Sequence, residues 1–172
     1  MSFNRIVRFF SSLALVAALF VVGACEQIDN YRIPAAPVNI ELTNQGLWDT
    51  YGVHSFGQYR MFIRELHQPS NYSYTANTYT GFGGILLISG YFNGDYNVPL
   101  AYDLACPVEV KNNIRVTIDP ENHQAVCPTC GSRFDVTEGE GRPVSGKALE
   151  MKCGMQRYHA YPAQYGGYLI AR

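Results

Sequence analysis

No uninterrupted apolar run of bilayer length occurs in the 172-residue chain; the longest apolar segment, Phe9 to Ala24, has 16 residues. A spanning helix needs roughly 20, so a polytopic membrane protein is excluded. Basic charge is not in excess either, with 13 Lys and Arg against 14 Asp and Glu and a formal net charge of −1. A nucleic-acid partner calls for a basic stripe, and none is present. No stretch keeps a sustained 3.6-residue apolar period, and no internal repeat or low-complexity tract is found, which removes helical bundles and solenoids. Gly-x-Ser-x-Gly, a phosphate loop and His-Glu-x-x-His are all missing. The carboxylates Asp103, Asp119, Asp135, Glu138 and Glu140 show no pairing, so nothing argues for an enzyme.

What is present begins with the leader. Arg5 and Arg8 precede the apolar segment, and Val22-Gly23-Ala24-Cys25 places small residues before a cysteine. Small residues at the end of a short apolar segment mark a secretory cleavage site, and the cysteine makes it resemble a bacterial lipoprotein signal. Residues 1–24 are then a removable signal peptide and Cys25 the lipidated first residue, which implies the membrane as a partner through the anchor and a place in the cell envelope. Removing residues 1–24 from 172 leaves 148, one domain's worth. The two leader arginines go with them, taking the formal charge from −1 to −3. Residues 25–37 carry Pro34 and Pro37 and read as an extended linker. Its acids Glu26 and Asp29 resemble the export signals of surface lipoproteins from the Bacteroides group.

Residues 38–172 read as one β domain. All 13 tyrosines lie after the leader, among many glycines and asparagines; aromatic and β-branched residues suit pleated surfaces, and Gly and Asn punctuate turns. Val38 to Leu42 alternates apolar and polar, the period of a half-buried strand. Gln58 to Arg64 is expected as a strand, and Gln68 to Gly84 as a long surface loop. Its Tyr72, Tyr74 and Tyr79 should pack over a sheet edge, and this stretch is the expected contact surface. Gly84 to Phe92 is a core strand, Asn93-Gly94-Asp95 a turn, and Val98 to Leu104 the approach to the first loop cysteine. Glu109 to Ile118 is expected as two short strands broken at Asn112-Asn113, with Gln124 to Val126, Ala148 to Lys152, Tyr158 to Tyr161 and Gly167 to Ala171 as further strands. Many short strands separated by turns point to a sandwich or barrel.

Four cysteines remain once Cys25 is set aside. Cys106-Pro107-Val108-Glu109 is followed, 17 residues later, by Cys127-Pro128-Thr129-Cys130-Gly131. The second is a metal-knuckle sequence: two sulfurs two residues apart converge while the glycine permits the backbone twist. The first has Glu109 where a second knuckle cysteine would stand. Cys153 falls beyond the loops, where a buried free thiol is the default. His54, His67 and His159 occupy no motif, and His123, in a turn, is expected to face solvent.

The run from Ala101 to Leu149 carries more than cysteines. Ala101-Tyr102-Asp103-Leu104-Ala105-Cys106-Pro107, then Cys127-Pro128-Thr129-Cys130-Gly131-Ser132-Arg133-Phe134-Asp135, then Gly139 to Leu149 resemble, in order, the two cluster loops of Rieske proteins and the segment after them. The resemblance implies an all-β fold, a Rieske-like antiparallel β-sandwich with a small two-loop subdomain over about 104–147. It also implies loop-shaping roles for Pro107, Gly131, Ser132 and Phe134, and a turn-capping role for Asp135. Rieske loops supply two thiolates to one iron and two imidazoles to the other. Here Cys106 and Cys127 fall at the thiolate positions, Val108 at the first histidine position and Cys130 at the second.

Three outcomes stay open for these thiols. Zn²⁺ on Cys106, Cys127 and Cys130, with Glu109 or water fourth, is one. A disulfide from Cys106 to Cys127 or Cys130, favoured by the oxidising compartment and by any Glu109 turned away from the sulfurs, is another, and it needs no cofactor. A [2Fe–2S] cluster with cysteine-rich ligation is the third. The functional expectation is an anchored structural or binding module whose protein or small-molecule partner is unnamed; the alternative is an iron–sulfur electron carrier. Cys25→Ser is expected to abolish lipidation and leave the precursor uncleaved, checked by the intact mass of protein from the membrane fraction; normal processing of that variant sinks the lipoprotein reading.

Overall fold

The structure, a computed structural model, describes residues 27–172. The leader and Cys25 lie outside the described residues. Among the described residues, no helix is long and apolar enough to cross a membrane.

The chain is all-β and antiparallel, in two sheets. The larger has seven strands: β1 (Val38–Leu42), β2 (Tyr59–Phe62), β3 (Tyr79–Thr80), β4 (Ile85–Phe92), β5 (Asp95–Asp103), β10 (Arg157–Pro162) and β11 (Tyr168–Ala171), in the order β2-β4-β5-β10-β11-β1-β3. The smaller has β6 (Thr117–Ile118), β7 (Gln124–Val126), β8 (Arg133–Asp135) and β9 (Arg142–Ser145), in sequential order. Among the described residues, two short α-helices interrupt them, α1 (Gln45–Tyr51) and α2 (Lys147–Glu150), with a 3₁₀ turn at Arg64–Leu66.

Strand β4 explains how the pieces fit. Its run Ile85-Leu86-Leu87-Ile88 is apolar at every position because both faces are covered. Successive side chains point to opposite faces. Ile85 and Leu87 join Phe62, Ala101, Tyr158, Ile170 and the β1 residues Ile40 and Leu42 in a core enclosed by the seven-stranded sheet. Leu86 and Ile88 face the other way, joining Leu100, Tyr102, Ile118, Ala125 and Phe134 in a second core under the small sheet. Strand β5 is paired to β4 along its length and serves both cores in the same manner, with Ala101 on one side and Leu100 and Tyr102 on the other. The β4–β5 hairpin closes at Asn93-Gly94, both with positive φ, the requirement of a two-residue turn that follows the sheet's twist.

Most expected strands form, and four stretches differ. Ala148 to Lys152 is not a strand: α2 forms because Lys147, Ala148, Leu149 and Glu150 are all strong helix formers with nothing β-branched among them. Of Glu109 to Ile118, only Thr117–Ile118 is a strand; the earlier half is consumed by a tight turn at Cys106 and an isolated pairing of Arg115 with Ala105. Helix α1 is unanticipated, although Asn44 is a legible cap whose side chain accepts the Leu47 amide at 2.9 Å. The long loop contains the short edge strand β3, paired with β1. Tyr72 from that loop packs edge-on against Phe62 and Tyr51 at the rim of the enclosed core.

The linker is not a free tether along its described length. Asp29 pairs with Cys153, giving its amide to the Lys152 carbonyl at 2.8 Å and accepting the Gly154 amide at 3.0 Å. Ile33 is buried. Body contact therefore begins well before Val38.

Leu87→Ala, in the doubly covered strand, is expected to cost about 2–5 kcal/mol, whereas Tyr96→Ala on the exposed hairpin end should fall within about 0.5 kcal/mol of the parent. Urea unfolding midpoints check the contrast; equal midpoints would contradict burial of β4 on both faces.

Candidate thiolate site

Both cysteine loops are built on the same turn. In the first, Val110 N–H donates to the Cys106 carbonyl at 2.9 Å, and Val110 takes φ +51°. In the second, Gly131 N–H donates to the Cys127 carbonyl at 3.0 Å, and Gly131 takes φ +69°. The fifth residue of each Cys-Pro turn thus lies in the left-handed region. Glycine enters it freely, while a β-branched valine is strained there. Glu109 and Cys130 hold equivalent positions in the two turns.

The frame below the loops is rigid. Cys106 N–H bonds to the Ile114 carbonyl at 3.0 Å, and Cys127 N–H to the Ser132 carbonyl at 2.9 Å. The fully buried Asp103 carboxylate accepts the amides of Phe82, Gly83 and Ala105 at 2.8–2.9 Å and the Tyr158 hydroxyl at 2.7 Å. Burial pushes that carboxyl above the usual carboxylate range, against four donors pulling it down. It fastens the glycine turn before β4, the entry to the first cysteine loop and β10 at one point.

Together these constraints bring Cys106, Cys127 and Cys130 into one group with all three Sγ atoms within 4.8 Å of one another. Cys106 Sγ and Cys130 Sγ are 3.7 Å apart. All three thiols are free. Cys106 and Cys127 are buried and Cys130 is half-exposed, so the group opens on the Cys130 side. Burial pushes the Cys106 thiol up, opposed by the amides of Glu109 and Val108. Cys130 is held below the ordinary thiol range: burial raises it, but bonding to the Ser132 hydroxyl and amide, together with Cys127 and Cys106, more than offsets that.

The loop-shaping residues have clear roles. Ser132 is fully buried, its Oγ 3.2 Å from Cys130 Sγ and accepting the Ala148 amide at 3.0 Å. It couples the second loop to α2. Phe134 is a fully buried core residue and Pro107 is buried. Asp135 caps its turn through the amides of Thr137 and Glu138. Val108 packs against the core beneath the small sheet, an apolar use for a position that has no donor atom.

Of the two fourth ligands left open, Glu109 is half-buried and is not among the grouped donors, while its amide bonds Cys106. One expected placement does not hold. His123 does not face solvent; it is half-buried with its ring edge-on to Phe56 at 6.0 Å. Neither it nor His54, His67 or His159 joins the sulfurs. Cys153 is buried and free, as expected, but it follows α2 and is not in a strand, its Sγ 3.7 Å from the Ala148 carbonyl.

A [2Fe–2S] cluster needs two ligands on each iron, and among the described residues this group supplies three sulfurs. A tetrahedral ion with metal–sulfur bonds of about 2.3 Å has sulfur–sulfur edges of about 3.8 Å, which the 3.7 Å Cys106–Cys130 separation matches. No protein-family model matches the chain, and no curated protein shows significant similarity to it.

Ser132→Ala leaves the buried Ala148 amide without an acceptor and is expected to cost about 1–3 kcal/mol. Thermal unfolding checks it, and an unchanged midpoint would remove Ser132 from the site's frame.

Proposed function

We propose that the chain is a lipid-anchored module of the cell envelope in which a Rieske-like loop pair holds one zinc-class ion in place of an iron–sulfur cluster. The observation that carries this reading is the third sulfur. A disulfide between Cys106 and Cys130 would use two thiols and strand Cys127 beside them, whereas one soft ion uses all three Sγ atoms within 4.8 Å. Thiolates select zinc or similar soft ions over hard cations. Glu109 is not among the grouped donors, which on this reading leaves the fourth position to water on the open, Cys130 side. The order of motifs from Ala101 to Leu149 supports the Rieske-like ancestry, and Val22-Gly23-Ala24-Cys25 supports the anchor.

On this reading the ion is a clamp. It offsets two of the three thiolate charges and ties two loops 21 positions apart, so the domain serves as a structural or binding module. Electron transfer is the rival reading, and it requires iron and sulfide that the donor set does not accommodate. Mature protein purified anaerobically is expected to hold about one zinc per chain, lost on Cys106→Ser, with no visible absorbance. A site filled at 100 times its Kd contributes about 2.7 kcal/mol, so chelation should lower the unfolding midpoint measurably. Stoichiometric iron and sulfide would put electron transfer first, and a metal-free protein with two free thiols among Cys106, Cys127, Cys130 and Cys153 would put the disulfide first.

A further inference from the structure

The three sulfurs of the group are not equally reachable. Cys106 and Cys127 are buried, whereas Cys130 is half-exposed on the open side. A small reagent arriving from solvent therefore meets Cys130 first. Two neighbours prepare that sulfur. Ser132 Oγ lies 3.2 Å from it and already accepts the Ala148 amide, so its hydroxyl hydrogen is available to a Cys130 thiolate. Cys106 Sγ, on the other loop, is in contact with it at 3.7 Å. A disulfide has an S–S bond of about 2.05 Å, so closing this pair takes a movement of about 1.7 Å. Accessible thiolates beside a second, resolving cysteine are the ones that oxidise reversibly.

Cys127 stands apart from both. Its amide is held by the Ser132 carbonyl at 2.9 Å and its carbonyl by the Gly131 amide at 3.0 Å, which fixes it at the base of its turn with a buried side chain. When the other two sulfurs pair, it remains as a single thiolate. One thiolate holds poorly an ion that three had gripped.

We propose that Cys130 is a site of oxidation by small hydroperoxides, and that its oxidation exchanges the bound ion for a Cys106–Cys130 disulfide. The ion's part in this rests on the zinc reading. In the first step the Cys130 thiolate attacks one peroxide oxygen. An S–O bond forms, the O–O bond breaks, and the other oxygen leaves as hydroxide or alkoxide and takes a proton from solvent. Sulfur has given up two electrons and the peroxide has gained them. In the second step the Cys106 thiolate attacks Cys130 Sγ. The S–S bond forms, the S–O bond breaks, and the departing hydroxide is protonated to water. Zinc, left with Cys127 alone among the sulfurs, dissociates. The two loops stay tied throughout, first by the ion and then by the covalent bond, so the domain answers an oxidant by releasing metal without coming apart.

The test uses the mature protein purified anaerobically, with its zinc counted before any oxidant is added. Hydrogen peroxide is then titrated in with a coloured zinc chelator present, and the cysteines are mapped by alkylation and peptide mass. One zinc released per peroxide consumed is expected, with a Cys106–Cys130 bridge, alkylated Cys127 and Cys153, and full reversal by dithiothreitol and added zinc. The double variant Cys106→Ser and Cys127→Ser removes every thiol partner in the group. Its Cys130 should accumulate a sulfenic acid that dimedone traps, an adduct that the parent does not build up. That readout needs no bound zinc, and the parent's own bridge mapping stands even if the variant unfolds. Zinc retained under excess peroxide, or a bridge from Cys130 to Cys127, overturns the exchange and leaves the zinc reading standing. A folded double variant without the dimedone adduct does the same. Protein that holds no zinc at the outset overturns the zinc reading, and the exchange with it.

Discussion

Ile85 to Ile88 of β4 and Leu100 to Tyr102 of β5 are covered on both faces, and the rest of the molecule is arranged around that constraint. A half-buried strand alternates polar and apolar; Ile85 to Ile88 does not, so water can reach neither side of it. One face needs the enclosed core of the large sheet and the other needs the small sheet. The small sheet, with strands of two to four residues, has little else to bury itself against. The cysteine loops, which border its strands, inherit their positions from the packing of Leu86, Ile88 and Tyr102 against Phe134 and Ala125. Asp103, at the end of β5, converts that packing into register: its four hydrogen bonds join the glycine turn before β4, the entry to the first loop and Tyr158 of β10.

The site is a pair of equivalent turns with unequal contents. Each fixes its fifth residue in the left-handed region and bonds it to the carbonyl of its cysteine. One turn ends on glycine and offers two sulfurs; the other ends on strained Val110 and offers one. Val108 is packed against the core, and Cys130 lies beside the sulfurs of its neighbours. Three sulfurs close together are a soft donor set that suits a single ion with an open position better than two irons.

The described part of the N-terminal segment docks on the body. Asp29 completes backbone bonds on both sides of Cys153, and Ile33 fills a buried place. A polar cleft bordered by Asn30 and Gln156 lies beside this docked segment.

The β class, the central strand, the hairpin turn at Asn93-Gly94 and the two cysteine turns were legible in the sequence, because each depends on local chemistry: period, turn residues and ligand spacing. Helix α1 was legible too, in Asn44, but a seven-residue helix carries too little periodicity to stand out. Tertiary structure alone decided the rest. That Glu109 turns its amide toward Cys106, that His123 lies against Phe56, and that Asp29 docks on Cys153 depend on which surfaces meet after folding. Above all, the 3.7 Å approach of Cys106 and Cys130 cannot be read from their 24-position separation. It is fixed by the burial of β4 and β5 between two cores, which presses two distant turns together.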